Sequence, residues 1–386
     1  MIGAACVVVA ACNDSSLPLT APDARSEFAS STSPKLWETN AALYWNDQAT
    51  LLAALRPIDA VRMYSYLTLA QLQAAETAAI GNDPHPAVSG AIGGASAAVL
   101  SSLFPLDVAT IEAALAAQKA ADPWPGVKHA DFSAGEALGR TIGAQVMVWA
   151  QSDRIGLQDP GTPPIGPGYW VWNGGPIARG NLGARPFFLA TADEFRPPPP
   201  PAFGGPEFIA ALAEVRQISD TRTAEQLASA QFWAVNQSPR SNAAMYDIAR
   251  ELIIRYRRNE TESARILFLA NASAFDALIG CFDAKYHYWF IRPSQADPAI
   301  TLPIGLPPHP SYPSAHSCIS GAMTATLADA FPSERPRLEA IALEASLSRL
   351  YAGIHYRFDM QAGLALGAAV AAKAARADLS AIGPTN

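Results

Sequence analysis

From position 40 onward, apolar residues return every third or fourth place over long stretches, separated by short polar or Gly/Pro breaks. That period is the helical one. It predicts helices over ALYWNDQATLLAALRP, DAVRMYSYLTLAQLQAAETAAIG, PAVSGAIGGASAAVLSSLF, DVATIEAALAAQKAA and DFSAGEALGRTIGAQVMVWAQSD in the first half. A second set follows from PEFIAALAEVRQISD, through ESARILFLANASAFDALIGCFDAKYHYWFI and SCISGAMTATLADAF, to DMQAGLALGAAVAAKAARAD. Few runs show the β-branched alternation a sheet needs. The expected fold is all-α, with two packed helical bundles, residues 40–154 and 207–380. Between them, residues 155–206 are crowded with Gly and Pro (PGTPPIGPGYWVWNGGP, FRPPPPPAFGGP) and predict a long irregular excursion. Its Trp170 and Trp172 would either line the mouth of a pocket or pack on the helices.

Composition narrows the class. Of 386 residues, 50% are hydrophobic and 16% charged, which suits a large core and argues against disorder. A net charge of −7 gives no support to a nucleic-acid or anionic-membrane partner, so any anion site must be a local gathering of cations. The opening MIGAACVVVAACNDSS resembles the lipobox of bacterial lipoproteins, ending at Cys12, although no Lys or Arg precedes Arg25. With residues 1–12 as a signal-like segment and the polar residues 13–39 as a tether, the expectation is an exported bacterial lipoprotein, periplasmic or outer-surface, touching membrane only through an anchor at Cys12. No later run of eighteen uninterrupted apolar residues predicts a spanning helix. The four cysteines have no zinc spacing; Cys281 and Cys318 are either isolated core thiols or a disulfide.

Three segments carry candidate chemistry. In KYHYWFIRPS, Lys285 and Arg292 are seven residues apart, which on a continuous helix closed by Pro293 would send both cations from one face. Their aromatic neighbours suggest burial, and buried cations need anionic partners. In PSYPSAHSCISG, Pro313 fixes a turn, Ser314 can cap a helix and His316 begins it, so amides from Ser314 to His316 would face a bound oxyanion. In SRLYAGIHYRFDMQAG, His355 and Asp359 at helical spacing would form a carboxylate-oriented imidazole with one nitrogen left free, suited to ligation or attack. Arg349 would join them if Tyr351-Ala352-Gly353 interrupts the helix. Three permanent cations, helix-start donors and two histidines meet the needs of a tetrahedral oxyanion and its trigonal-bipyramidal state.

The series Lys285-x6-Arg292-Pro293, Pro313-Ser314-Ala315-His316 and Ser348-Arg349-x5-His355-x3-Asp359 resembles the tripartite signature shared by vanadium-dependent haloperoxidases and type 2 phosphatidic acid phosphatases, including bacterial nonspecific acid phosphatases. The resemblance implies that Lys285, Arg292, Ser314, the Ala315 amide and Arg349 hold the oxyanion. It makes His355 the ligand of vanadium or the phosphorylated nucleophile, His316 the acid–base group, and Asp359 the group that orients His355. Ala315 departs from the family's glycine, and its methyl would crowd the oxyanion or disfavour the backbone conformation that Gly adopts. A looser likeness over about residues 40–375 is to bacterial soluble haloperoxidase-like proteins. It implies a vanadate cofactor, hydrogen peroxide and halide as substrates, His316 taking a peroxide proton and Lys285 polarising the oxidant. His309 stands where brominating algal members carry His and chlorinating fungal members Phe, which implies bromide or iodide. Related bacterial proteins imply a homodimer. Two alternatives share the same residues: an acid phosphatase acting on a phosphoester through a phosphohistidine, and a non-catalytic oxyanion-binding lipoprotein. His85, His129 and His287 are left out of the site, and His287, two after Lys285 and off its helix face, is read as structural.

Overall fold

The computed structural model describes residues 40–56, 58–80, 85–121, 130–237 and 242–384. Cys12, the tether 13–39, His129 and the side chain of His85 lie outside the described residues. The first bundle comprises α1 (Ala41–Leu55), α2 (Ala60–Ala79), α3 (Val88–Leu103), α4 (Val108–Ala120) and α5 (Phe132–Gln151). Then come α6 (Pro206–Thr221), α7 (Ala224–Asn236), α8 (Ala243–Arg255), α9 (Glu260–Tyr288), the short α10 (Pro293–Ala296), α11 (Ala315–Ala330), α12 (Arg335–Tyr351) and α13 (Arg357–Ala374). The fold is all-α; among the described residues the sheet component is one two-residue parallel pair, His85–Pro86 with Ala130–Asp131.

α9 joins the bundles. It packs on α2 of the first and on α11 and α13 of the second. Its start is fixed by a capping box, with Asn259 accepting from the Glu262 amide at 2.9 Å and Glu262 accepting from the Asn259 amide at 3.1 Å. Length and composition alone would let α9 cross a membrane, but 89% of its apolar window is buried within the protein, so it is the central core helix. In the first bundle a buried polar chain links three helices: Asn46 donates to Gln71 at 2.9 Å and Gln71 to Ser96 at 3.0 Å.

Residues 155–205 contain neither helix nor strand, as their Gly and Pro content predicts. This excursion is bound tightly to α9. The buried Asp276 carboxylate accepts from the amides of Phe187, Phe188 and Leu189 at 2.8, 2.7 and 2.9 Å. Arg196 forks onto Asp283 at 2.7 and 3.0 Å. The proline run is held by Tyr288 and Tyr312, whose hydroxyls donate to the carbonyls of Pro197 and Pro198 at 2.7 and 2.6 Å. Trp170 is buried, whereas Trp172 stays half exposed and donates to the Gly175 carbonyl.

Candidate active site

Four pieces converge: the end of α9 with its continuation, the turn 309–314, the α12–α13 connection, and the start of α11. Lys285 lies on the buried face of α9, one turn from its end. Its ammonium donates to the carbonyls of Pro310 and Ser311 at 2.8 Å each and of Pro313 at 2.5 Å. Burial lowers its pKa to about 8.

Arg292 reaches the same place by a different route from the one expected. α9 stops at Tyr288, because Trp289 adopts a left-handed conformation with φ 51°. Arg292 is therefore not on the Lys285 helix face. The chain beyond Trp289 is held by backbone bonds on both sides: Ile291 donates to Gly168 and Ser311 donates to Phe290, each at 2.9 Å. The guanidinium turns inward and is wholly buried. Nε and Nη2 donate to the His309 carbonyl at 3.0 Å each, and Nη1 donates to Ile354 at 2.7 Å. Nη1 also lies 3.0 Å from His355 Nε2, and Nη2 lies 3.0 Å from His309 Nδ1. Burial lowers the Arg292 pKa to about 10.

Those contacts set the state of His355. A guanidinium only donates, so His355 Nε2 carries the lone pair and Nδ1 carries the proton. Nδ1 donates to Asp359 Oδ2 at 2.8 Å. The same oxygen accepts from Ser311 Oγ at 2.5 Å and from the Tyr356 amide at 3.1 Å. Burial pushes His355 well below the ordinary histidine range, and the charges of Arg292 and Lys285 push it further. Burial also raises Asp359 to about 6 against the hydrogen bonds and cations that lower it. The pair does not share a helix face as expected: α13 begins at Arg357, His355 lies in the turn before it, and Asp359 stands in its first turn.

The Tyr351-Ala352-Gly353 break is present. α12 ends at Tyr351, and Gly353 takes φ 74°, a conformation open to glycine at no steric cost. Arg349, in the last turn of α12, is buried and donates to Ser348 Oγ at 2.9 Å and to the Ala230 carbonyl at 2.6 Å. Burial brings its pKa to about 10.

Ser314 caps α11, its hydroxyl accepting from the Ser317 amide at 3.4 Å. Its own amide donates to the Asp359 carbonyl at 3.0 Å, so the expected row of open donors shortens to Ala315 and His316, both partly exposed. α11 and α13 meet here through Gly363, where a Cβ would come within 2.7 Å of the Ser314 carbonyl. Ala315 opens a regular helix and is not a left-handed position, so it carries no backbone strain; its methyl is the whole difference from glycine. His316 Nε2 is 3.0 Å from the Trp233 carbonyl, which only accepts, so Nε2 is protonated and Nδ1 is free to take a proton. Burial and the nearby Arg349 charge keep this ring neutral.

His309 rests edge-on to Phe282, ring centroids 5.2 Å apart, against Arg292. His287 is exposed on the far side of α9 from Lys285. Cys281 and Cys318 are free, buried thiols, and Cys281 Sγ donates to the Pro313 carbonyl at 3.8 Å. Ser311 is the residue that sequence reasoning missed. Its only signal was a hydroxyl between two prolines, whose partner Asp359 is 48 positions away.

The donor set suits a tetrahedral oxyanion: three buried cations, two helix-start amides and one unprotonated imidazole nitrogen. Lys285 and Arg292 spend their protons on carbonyls and rings here, so a bound oxyanion would take over part of those contacts. Among the described residues no three His, Cys, Asp or Glu side chains gather as a metal site.

Residues 265–379 match the family described as PAP2 superfamily. No curated protein matches the chain. Among solved structures, the first bacterial vanadium-dependent iodoperoxidase aligns with a TM-score of 0.70 at 23% identity, over 88% of this chain and 95% of that one. An apo-type bacterial vanadium-dependent chloroperoxidase aligns at 0.61 and 12% identity, over 81% and 92%. The holo-type aligns at 0.58 and 13% identity, over 89% and 93%. At these identities the likeness is one of fold.

Proposed function

We propose that this chain, whose C-terminal part matches the PAP2 superfamily and whose fold is that of the bacterial vanadium haloperoxidases, is a vanadate-dependent haloperoxidase that oxidises bromide or iodide with hydrogen peroxide. The observation that carries the reading is the His355–Asp359 pair. A carboxylate at 2.8 Å holds the proton on Nδ1 and points the Nε2 lone pair into a buried group of cations. Bound there, vanadate would supply Lewis-acid activation of hydrogen peroxide without a change of oxidation state. Arg292, Arg349, Lys285 and the amides of Ala315 and His316 would balance its charge. His316 Nδ1 would accept the peroxide proton, since Nε2 is committed to Trp233. The choice of bromide or iodide rests on the resemblance at His309 to brominating members, a ring that lies 3.0 Å from Arg292 Nη2.

The PAP2 match favours one further reading, an acid phosphatase in which the same Nε2 attacks phosphorus. Two assays side by side separate them: halogenation of a phenolic dye by vanadate-loaded protein, and p-nitrophenyl phosphate hydrolysis by vanadate-free protein. Halogenation without hydrolysis supports the peroxidase. Hydrolysis that vanadate inhibits, without halogenation, transfers these residues to the phosphatase. Binding of vanadate with neither activity leaves a non-catalytic oxyanion-binding protein.

A further inference from the structure

Asp359 works through one of its two oxygens. Oδ2 accepts from His355 Nδ1, Ser311 Oγ and the Tyr356 amide at 2.8, 2.5 and 3.1 Å, while Oδ1 is buried without a hydrogen-bond partner. His355 and Tyr356 stand four and three positions before the carboxylate, in the same turn of chain. Among the described residues Ser311 is the one donor to that side chain from outside the turn.

The terminal torsion of an aspartate is broad and lacks deep staggered wells. Donors from its own turn move with it and do not hold its plane against the rest of the site. A hydroxyl from a separate segment does. The Ser311 oxygen also lies 3.5 Å from His355 Nδ1, so it faces the edge of the ring as well as the carboxylate. Its proton has one destination, because Nδ1 already carries a proton and Oδ2 only accepts.

Ser311 is itself fixed before its hydroxyl is aimed. It is wholly buried. Its amide donates to the Phe290 carbonyl at 2.9 Å, and its own carbonyl accepts from the Lys285 ammonium at 2.8 Å. Both partners belong to α9 or its continuation. Arg292 reaches the other ring nitrogen from the same continuation, with Nη1 3.0 Å from Nε2. The imidazole is therefore gripped at both nitrogens from a single frame, directly at Nε2 and through Ser311 and Asp359 at Nδ1.

The geometry points to Ser311 as a positioning residue of the oxyanion site. Its hydroxyl locks the Asp359–His355 pair to the frame that carries Lys285 and Arg292, so that the imidazole and the two cations keep a fixed spacing. A site ordered in advance loses less free energy when its ligand arrives. This role deepens the haloperoxidase reading, on whose placing of His355 at the oxyanion it rests.

The probe is tungstate, a tetrahedral oxyanion, titrated calorimetrically into the vanadate-free protein at pH 7. Ser311→Ala removes the hydroxyl. Ser311→Val and Ser311→Thr add the same bulk and differ from each other in that hydroxyl. Urea melts show that each variant is folded during the titration; a hydroxyl with a purely structural role would shift the melts and leave the affinity alone. Tungstate should bind the native protein 1:1. Ser311→Ala should bind it about tenfold more weakly, a difference of about 1.4 kcal/mol, and Ser311→Val about tenfold more weakly than Ser311→Thr. Equal affinities in the Val and Thr variants, or native affinity in the Ala variant, overturn the role of Ser311 and leave the oxyanion site standing. Failure of the native protein to bind tungstate overturns the oxyanion reading and the role of Ser311 with it.

Discussion

Replacing Asp359 by Asn separates orientation from stability. In the native site one oxygen, Oδ2, accepts from His355, Ser311 and the Tyr356 amide at 2.8, 2.5 and 3.1 Å, while Oδ1 is buried without a partner. Burial holds the carboxyl at about 6, so at ~1.4 kcal/mol per pH unit the charge costs about 3 kcal/mol relative to an ordinary aspartate. Asparagine keeps an acceptor for the three donors and removes that cost. That cost is already net of the charge-assisted bonds, and against its removal stands the buried amide group that asparagine places at the unpartnered Oδ1 position, at about 1–3 kcal/mol. The two changes offset, and the stability in urea at pH 7 should move by less than about 1 kcal/mol. Turnover should not be spared. The imidazole loses its charged partner, and the charge that would balance a cationic ring is gone, so kcat should fall by about 10- to 100-fold. Urea melts and iodide-oxidation kinetics on the same preparation decide the matter. A loss of several kcal/mol with kcat unchanged would make Asp359 a structural anchor only and refute this account of its role.

Asp276→Ala should cost about 3–6 kcal/mol in a urea melt, because it strands three buried amides of the excursion; a change under 1 kcal/mol would contradict the anchoring role. Tungstate affinity, measured calorimetrically, should fall about tenfold between pH 7 and pH 9 as the buried Lys285 ammonium loses its proton on passing about 8; a flat profile would remove Lys285 from the site's charge. Ala315→Gly should change tungstate affinity by less than about threefold, because the helical backbone already aims the amide correctly. In a chain beginning at Asn13, a thiol reagent should find no reactive cysteine until the protein unfolds, then both Cys281 and Cys318.

The helices and the irregular excursion were legible because apolar spacing and Gly/Pro density are local signals. The identities of the site residues were legible too, since the signature is a matter of order and spacing. How they meet was not. Helical spacing placed Lys285 with Arg292, and His355 with Asp359, on shared faces. Trp289 in a left-handed turn and a helix start at Arg357 break both helices within the motifs. Neither break carries a glycine or proline at the decisive position to announce it. Ser311 and the carbonyls of Pro310, Pro313 and Ala230 were invisible for another reason. Backbone acceptors have no sequence signature, and the contact between Ser311 and Asp359 exists only once α13 folds back on the turn.

Vanadate-dependent haloperoxidase activity is tested by the rate of triiodide formation from iodide and hydrogen peroxide, with and without added orthovanadate, for the native protein and His355→Ala. The rate should rise and saturate with vanadate in the native protein and be lost in the variant while its urea midpoint is retained. Iodide oxidation that ignores vanadate, or that survives the loss of His355 at full rate, would contradict it.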